Sequence, residues 1–304
     1  MSTSQAWSDG VRRLVEKLTS FDLNSKKLCY YFKIKDQLVG FIRPNVLSVL
    51  KKDYERYFIF DDSDRCIMLK SSFDVTYDSR SSVFEEMLDD MRKRCLFSSL
   101  KGWRDEHYNV SERFYGEKLL KIERSAVNIF GFSSFGCHIN GFVVDDSGEY
   151  KLWLSRRSKN KQTFPGMLDN LAAGGLTAGL KLLECAIKEL DEEAGINGEL
   201  LNTLKPTGAI SYAYETLEEG IYRESEFYFD IKLPLSFVPQ NKDGEAESFY
   251  LMTIDEVKNA VIKNDFKPNS ALITINFLIR HGLISPDEDE NYFYLLENMN
   301  AKCF

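Results

Sequence analysis

Between Gly174 and Ile196 the chain reads GGLTAGLKLLECAIKELDEEAGI. On a helix, at about 100° per residue, Glu189, Glu192 and Glu193 fall at i, i+3 and i+4, so their carboxylates gather on one face. The C-terminal end of a helix dipole disfavours anions, so charge collected there needs another counterweight. Three close carboxylates cannot all ionise cheaply unless a cation sits among them. Hard oxygen donors at this density suit Mg²⁺ or Mn²⁺, which take carboxylates, water and phosphate oxygens. For the helix alone, a solvated acidic face is the competing reading. Leu183, Ala186, Ile187, Leu190 and Ala194 form the apolar stripe expected to face a core, and Glu184 points elsewhere, within reach of Lys188.

A second set of chemistry-bearing residues precedes the helix. Arg156, Arg157, Lys159 and Lys161 form a basic cluster that would bind a terminal phosphate through charge-assisted hydrogen bonds. On a regular strand Arg156 and Arg157 point to opposite faces, so only one reaches a common site. Asp169 and Asn170 stand just before the glycine pair, placed to position the loop or contact substrate. His138, in an apolar run, reads as a hydrogen-bonded core histidine before a ligand.

The elements that must position these residues are legible in part. Asp9–Thr19 reads as an amphipathic helix, Leu28–Ile34 as a strand, Pro44 as a helix start, and RYFIFDD and RCIMLK as short strands around a turn. SSVFEEMLDDMRKRCLFSSL has helical spacing. From Ile129 onward strands dominate: CHINGFVVDD and YKLWLSRRS around a Ser-Gly turn, then TGAISYAYET, SEFYFDIKLP and SFYLMTIDEV after the acidic helix, and a last helix in NSALITINFLIRHGLI. The expected class is α+β in two domains: a smaller α+β unit over residues 1–120, with no catalytic constellation of its own, and a second over 121–304.

A formal net charge of -8 argues against a broad nucleic-acid or anionic-membrane surface. The six cysteines are scattered with no CxxC pair and only three histidines for company, which points to free thiols in a reducing, cytoplasmic setting. No long apolar run suggests a signal peptide or membrane span. The expected partner is a small molecule, and the expected state is monomer or homodimer.

The quoted stretch resembles the Nudix hydrolase signature, GX5EX7REUXEEXGU, where U is a bulky aliphatic residue. Gly174, Glu189, Leu190, Glu192, Glu193, Gly195 and Ile196 match it, while Leu180 stands at the first glutamate and Lys188 at the arginine. INGFV, LWLSRRS, TFPGMLDNLAAGG, DGEAESFYLM, FKPNSALITINFLIRHGLI, GFIRPNVLSVL and LKGWRDEHYNV are similar to a Nudix subgroup related to thiamine pyrophosphokinase. The resemblance implies a C-terminal α/β/α sandwich with a mixed sheet. It implies a diphosphatase of thiamine diphosphate, preferring its damaged oxo and oxy analogues, that uses Mg²⁺ or Mn²⁺. It also implies that Glu189, Glu192 and Glu193 serve as metal ligands and base, Gly174 as a carbonyl ligand, and a loop acid, Glu245 before Glu247, as a further catalytic group. Arg156, Arg157, Lys161 and Asp169 become the substrate-binding candidates. Trp153, Phe164, Tyr212 and Tyr214 become candidates to stack on a flat cationic ring, and Trp103 and Arg104 to close the pocket. Two other readings stay open. One is a non-catalytic Nudix binding module, which Leu180 and Lys188 favour, and the other is hydrolysis of other nucleoside diphosphate-linked compounds. An isopentenyl diphosphate isomerase is disfavoured, because those relatives use a cysteine soon after FPG, where this chain has MLDNLAAGG.

Overall fold

The computed structural model describes residues 3–21, 29–216, 218–263 and 265–300. After α1 (Thr3–Leu18), the first sheet is assembled from β1 (Tyr30–Ile34), β2 (Gln37–Ile42), β3 (Phe58–Asp61) and β4 (Cys66–Leu69) in the order β2-β1-β4-β3. Pro44 opens α2 (Pro44–Asp53), where its missing N–H costs nothing. Thr76 and Ser79 form a reciprocal capping box at the start of α3 (Tyr77–Lys93). The core between this sheet and α3 is aromatic, with Phe32 packed edge-on against Phe58, Phe84 and Phe132. A hairpin, β5 (His107–Val110) with β6 (Leu120–Glu123), adjoins it.

The second sheet is mixed. Its order is β11 (Lys205–Thr216), β12 (Gly220–Lys232), β7 (Ser133–Val144), β8 (Tyr150–Arg157), β13 (Ala246–Thr253), with β9 (Leu168–Asp169) on β8 and β10 (Ala172–Gly175) on β7. β12 and β7 run parallel and the other pairs are antiparallel. One face packs α4 (Leu182–Ala194) through Cys137, Ile139, Phe229 and Ile231. The other packs α1, α5 (Ile254–Val261) and α6 (Pro268–Arg280) through Phe142, Leu152, Leu154 and Ile210, with α7 (Tyr292–Asn298) closing over α1. This is the expected α/β/α sandwich beside a smaller α+β unit.

Packing does not divide the chain at residue 120. The first core runs on through Leu119 to Phe132, and α1 belongs to the second core. Val11, Val15 and Leu18 of α1 are all buried among α5, α6 and α7, and at roughly 1.5–3 kcal/mol per buried side chain that contact outweighs sequence proximity. The acidic, aromatic segment after α6 carries α7, and Ser8 Oγ donates to Asp289 at 2.6 Å. No helix among the described residues is long and apolar enough to cross a membrane.

Candidate active site

The acidic helix is α4, stopped by Gly195 in the left-handed conformation at φ 69°. Its face is rotated from the expected stripe. Leu183 is 52% exposed, while Cys185, Ala186, Leu190, Glu193 and Ala194 are buried, so the stripe at i, i+3, i+4 runs through Glu189 and Glu193. Glu184 does not pair with Lys188, because it accepts from the Lys181 N–H at 2.9 Å and caps the helix start. The far end of α4 is closed by a distant loop: the Gln240 and Lys242 N–H groups donate to the carbonyls of Ala194 and Glu192 at 3.0 and 2.9 Å. That docking carries Asp243 and Glu245 to the helix.

Glu193 is 9% exposed and accepts from the Ala173 N–H at 2.8 Å. Carboxylate oxygens of Glu193, Asp243 and Glu245 lie within 4.8 Å of one another. Burial pushes the Glu193 carboxyl well above its usual range, and Glu189, Asp169 and Glu245 add to that. Glu189 is likewise raised, by burial first and by Glu192 and Glu245 against the pull of Lys188. Partial burial works to raise Glu245 too, but Lys161, in direct contact with it, wins and holds it low. Gly174 is glycine for a spatial reason: a Cβ there would collide with the Glu189 carboxylate. Lys188 departs from an open site, its ammonium lying 3.2 Å from Glu189 and 2.8 Å from Glu192.

The basic cluster is dispersed. Arg157 turns inward and every guanidinium nitrogen is engaged: Nε on the Phe164 carbonyl at 3.0 Å, one terminal nitrogen on Asp169 at 2.7 Å, the other on the Thr163 carbonyl at 2.8 Å. It clamps the 158–167 loop, although it borders the cavity described below. Arg156 faces the other side of β8, bound to Asp265 at 2.6 Å and the Gly166 carbonyl, so its expected substrate contact is not formed by this geometry. Asp169 is buried between Arg157 and Lys267 (3.3 Å); burial would raise it, but those two cations hold it far below the usual carboxylate range. It organises the floor instead of projecting into the site. His138 is a core histidine, its Nδ1 2.8 Å from Asn170 Oδ1, and burial followed by Lys267 holds its imidazole down to about 3. Trp153 is buried beneath α4.

Gly174, Glu189, Glu192, Asp243, Glu245 and Lys161 open onto one cavity of about 1250 Å³ between the two cores. Its far wall comes from the first unit and includes Arg104 and Arg124. That unit also braces the loop after Gly174. The Ala178 N–H donates to the His107 carbonyl at 2.8 Å, Thr177 Oγ1 donates to Glu106 at 2.8 Å, and the Tyr108 hydroxyl fills the space a Cβ on Gly175 would need. Among the described residues Trp103 holds Asp105 at 2.8 Å instead of facing this cavity. The clustered oxygens of Glu193, Asp243 and Glu245 are all hard donors, with the raised carboxyl of Glu189 on the same helix, and a divalent ion fits them.

Comparison with known proteins bears on both halves. A family model described as "NUDIX domain" matches residues 138–272, and one described as "Domain of unknown function (DUF4743)" matches residues 11–134. Nudix hydrolase 20, chloroplastic, of Arabidopsis thaliana is 33% identical over 95% of this chain and 78% of its own length. Nudix hydrolase 24, chloroplastic, of the same plant is 33% identical over 97% and 80%. The uncharacterized protein YJR142W of Saccharomyces cerevisiae is 34% identical over 92% of this chain and 85% of its own length. The chain belongs to the Nudix hydrolase family.

Within this Nudix fold, the sequence motif missed Asp243, although an acid two residues before Glu245 across a glycine was a usable signal. It also missed Glu224 and Glu226, which line the cavity from β12 and whose i, i+2 spacing on a strand puts them on one face. The place of the Nudix glutamate, held here by Leu180, lies in the loop that the first unit braces through Glu106, His107 and Tyr108.

Proposed function

We propose that this Nudix hydrolase is a Mg²⁺-dependent (or Mn²⁺-dependent) diphosphatase that converts thiamine diphosphate, and preferentially its oxo and oxy analogues, to the monophosphate and phosphate. The observation that carries the reaction class is the cluster of Glu193, Asp243 and Glu245, with Glu189 and Glu192 of the same helix bordering a cavity large enough for a diphosphate and a two-ring organic group. Resemblance of both halves to the thiamine pyrophosphokinase-related subgroup supports the substrate. Hydrolysis places water on phosphorus, forms one P–O bond and breaks the bridging P–O bond, so negative charge on the phosphates must be held throughout. A bound divalent ion supplies that charge neutralisation and a more acidic water. Glu189, Glu192, Glu193, Asp243 and Glu245 would hold it, with the Gly174 carbonyl beside them. Glu189, half-sheltered at the cavity floor, is the group best placed to take the proton of the attacking water. Lys161, paired with Glu245, and Arg124, paired with Glu106, line the same cavity and soften its negative charge where phosphate would lie. We place the protein in the cytoplasm on the strength of its scattered thiols.

Phosphate release with Mg²⁺ from thiamine diphosphate, oxothiamine diphosphate, oxythiamine diphosphate, ADP-ribose and isopentenyl diphosphate tests this reading, with Glu193→Gln as control. Turnover concentrated on the thiamine compounds and lost in the control is expected, and turnover confined to ADP-ribose would sink the substrate assignment. The Lys188 ammonium between Glu189 and Glu192 favours a second reading, a Nudix module that binds without catalysis. Binding of thiamine diphosphate with no turnover of any compound would establish it.

A further inference from the structure

One face of the second sheet lines the cavity across three strands. Strand register sets its side chains in rows: Tyr214 beside Tyr222, then Tyr212, Glu224 and Ser134, then Glu226 beside Gly136. Successive rows lie two residues apart, about 7 Å along the strands. The Gly136 row continues on to Gly175, next to Gly174 and the carboxylates of α4. The rows lead from the diphosphate end of the cavity toward the tyrosines.

This arm is built for something other than phosphate. The Tyr214 and Tyr222 rings stack 4.6 Å apart at 5°, and Tyr212 lies 6.3 Å from Tyr214 at 23°. Glu226 is 8% exposed; its Oε1 stands 3.2 Å from the Tyr212 hydroxyl, and its Oε2 receives no hydrogen bond from any described residue. Gly136 leaves room for that oxygen, since a Cβ would collide with it. Burial and the neighbouring Glu224 push Glu226 up to about 7, against the pull of Lys267 and Arg124. Those two cations are already engaged, Lys267 with Asp169 and Arg124 with Glu106 at 2.8 Å. On the opposite wall the buried Ser125 Oγ, 7% exposed as a residue, also lacks a partner.

We propose that Tyr212, Glu224 and Glu226 form the recognition subsite for the organic half of the diphosphate, and that the group it takes is a flat nitrogen heterocycle bearing a ring amine or a ring N–H. The open carboxylate oxygen accepts from such an amine or ring N–H, and the tyrosine rings offer flat faces beside which a heterocycle stacks. A prenyl chain offers neither donor nor charge. The inference rests on the diphosphatase reading and names how that site selects its substrate.

Calorimetric titration of the full chain with thiamine, which has the ring amine and no phosphate, tests it beside inorganic pyrophosphate with Mg²⁺. In Glu226→Gln, thiamine affinity falls roughly tenfold or more, as loss of a charge-assisted hydrogen bond requires, while pyrophosphate affinity holds within about twofold. Glu224→Gln gives a smaller loss of the same kind. Tyr212→Phe, which keeps the ring and removes the hydroxyl, gives a loss confined to thiamine even if a glutamate variant folds poorly. Unchanged thiamine affinity in all three variants, or equal losses for both ligands, overturns the subsite while wild-type turnover of thiamine diphosphate leaves the diphosphatase reading standing. Wild-type protein that neither binds thiamine nor turns over thiamine diphosphate overturns both.

Discussion

Glu193→Gln separates what this side chain does for the fold from what it does for the reaction. The amide keeps an oxygen to accept from the Ala173 N–H, so the tie between α4 and β10 survives. It removes an anion buried beside Glu189, Asp169 and Glu245. Because the native carboxyl titrates above its ordinary value, its contribution to stability is full below the unfolded-state value near 4.5 and is lost as pH rises through the native one. Metal-free Glu193→Gln is therefore as stable as wild type in acid and more stable at pH 8, an unusual sign for a buried polar substitution. Divalent metal reverses the order. At 100 times its dissociation constant, an ion bound only by the folded state adds about 2.7 kcal/mol. At roughly 2–4 °C per kcal/mol for a domain of this size, wild type gains about 5–11 °C. The variant loses most of that gain and its turnover together. Thermal melts at pH 5 and pH 8, with EDTA and with Mg²⁺, read all four quantities. A metal-free variant less stable than wild type at pH 8, or one with the full Mg²⁺ shift, would refute the assignment of Glu193 as a charged metal ligand.

Lys188→Met frees Glu189 and Glu192 from the ammonium between them; Mg²⁺ affinity rises, by about fivefold at most from the exposed Glu192 pair alone, measured by calorimetry, and a fall would show that the lysine supports the site and does not compete for it. His138→Gln removes an imidazole that stays neutral in the native state down to about pH 3 but protonates near 6.5 when unfolded. Wild type therefore loses stability relative to the variant as pH falls below 6.5, by roughly 2 kcal/mol at pH 5, and denaturant titrations giving a flat difference would contradict the burial argument. Thr177→Val breaks the hydrogen bond from the loop after Gly174 to Glu106. Its kcat falls while its KM and melting temperature change little, and Thr177→Ser restores it; a fall in melting temperature without recovery in the serine variant would make the contact merely structural.

The parts of this site that were legible in the sequence are those whose geometry is local. Glu189, Glu192 and Glu193 share one short helix, so 3.6-residue periodicity was enough to bring them together. The rotation of that helix was not legible, since Leu183 and Cys185 offer nearly equal apolar choices, and only the surface of β10 and β7 selects Cys185. Strand alternation showed that Arg156 and Arg157 must part company. Which of them faces inward depends on the register that sets Ser155 against Asp169 and Ala246 against Arg157, a property of partners up to 89 residues away. The same holds for Asp243 and Glu245, brought to Glu193 because two backbone N–H groups of their loop cap the end of α4. The fold class followed from the strand and helix pattern, but α1 did not, because an amphipathic helix specifies that it needs a partner and not which core supplies it.

That division has a mechanistic consequence for the two departures from the Nudix signature. A glutamate at Leu180 and an arginine at Lys188 would support the loop and helix from within the motif. Here the loop is held from outside, by a β5 backbone carbonyl, by Glu106 on Thr177 and by Tyr108 against Gly175. Lys188 is left to balance Glu189 and Glu192, a task that asks for one positive charge and not for a planar fork. The first unit thus reaches the candidate site by geometry and charge, bracing the loop after Gly174 and setting Arg104 and Arg124 in the cavity wall. Severing it from the sandwich would remove the brace and the Arg104 and Arg124 wall of the cavity at once.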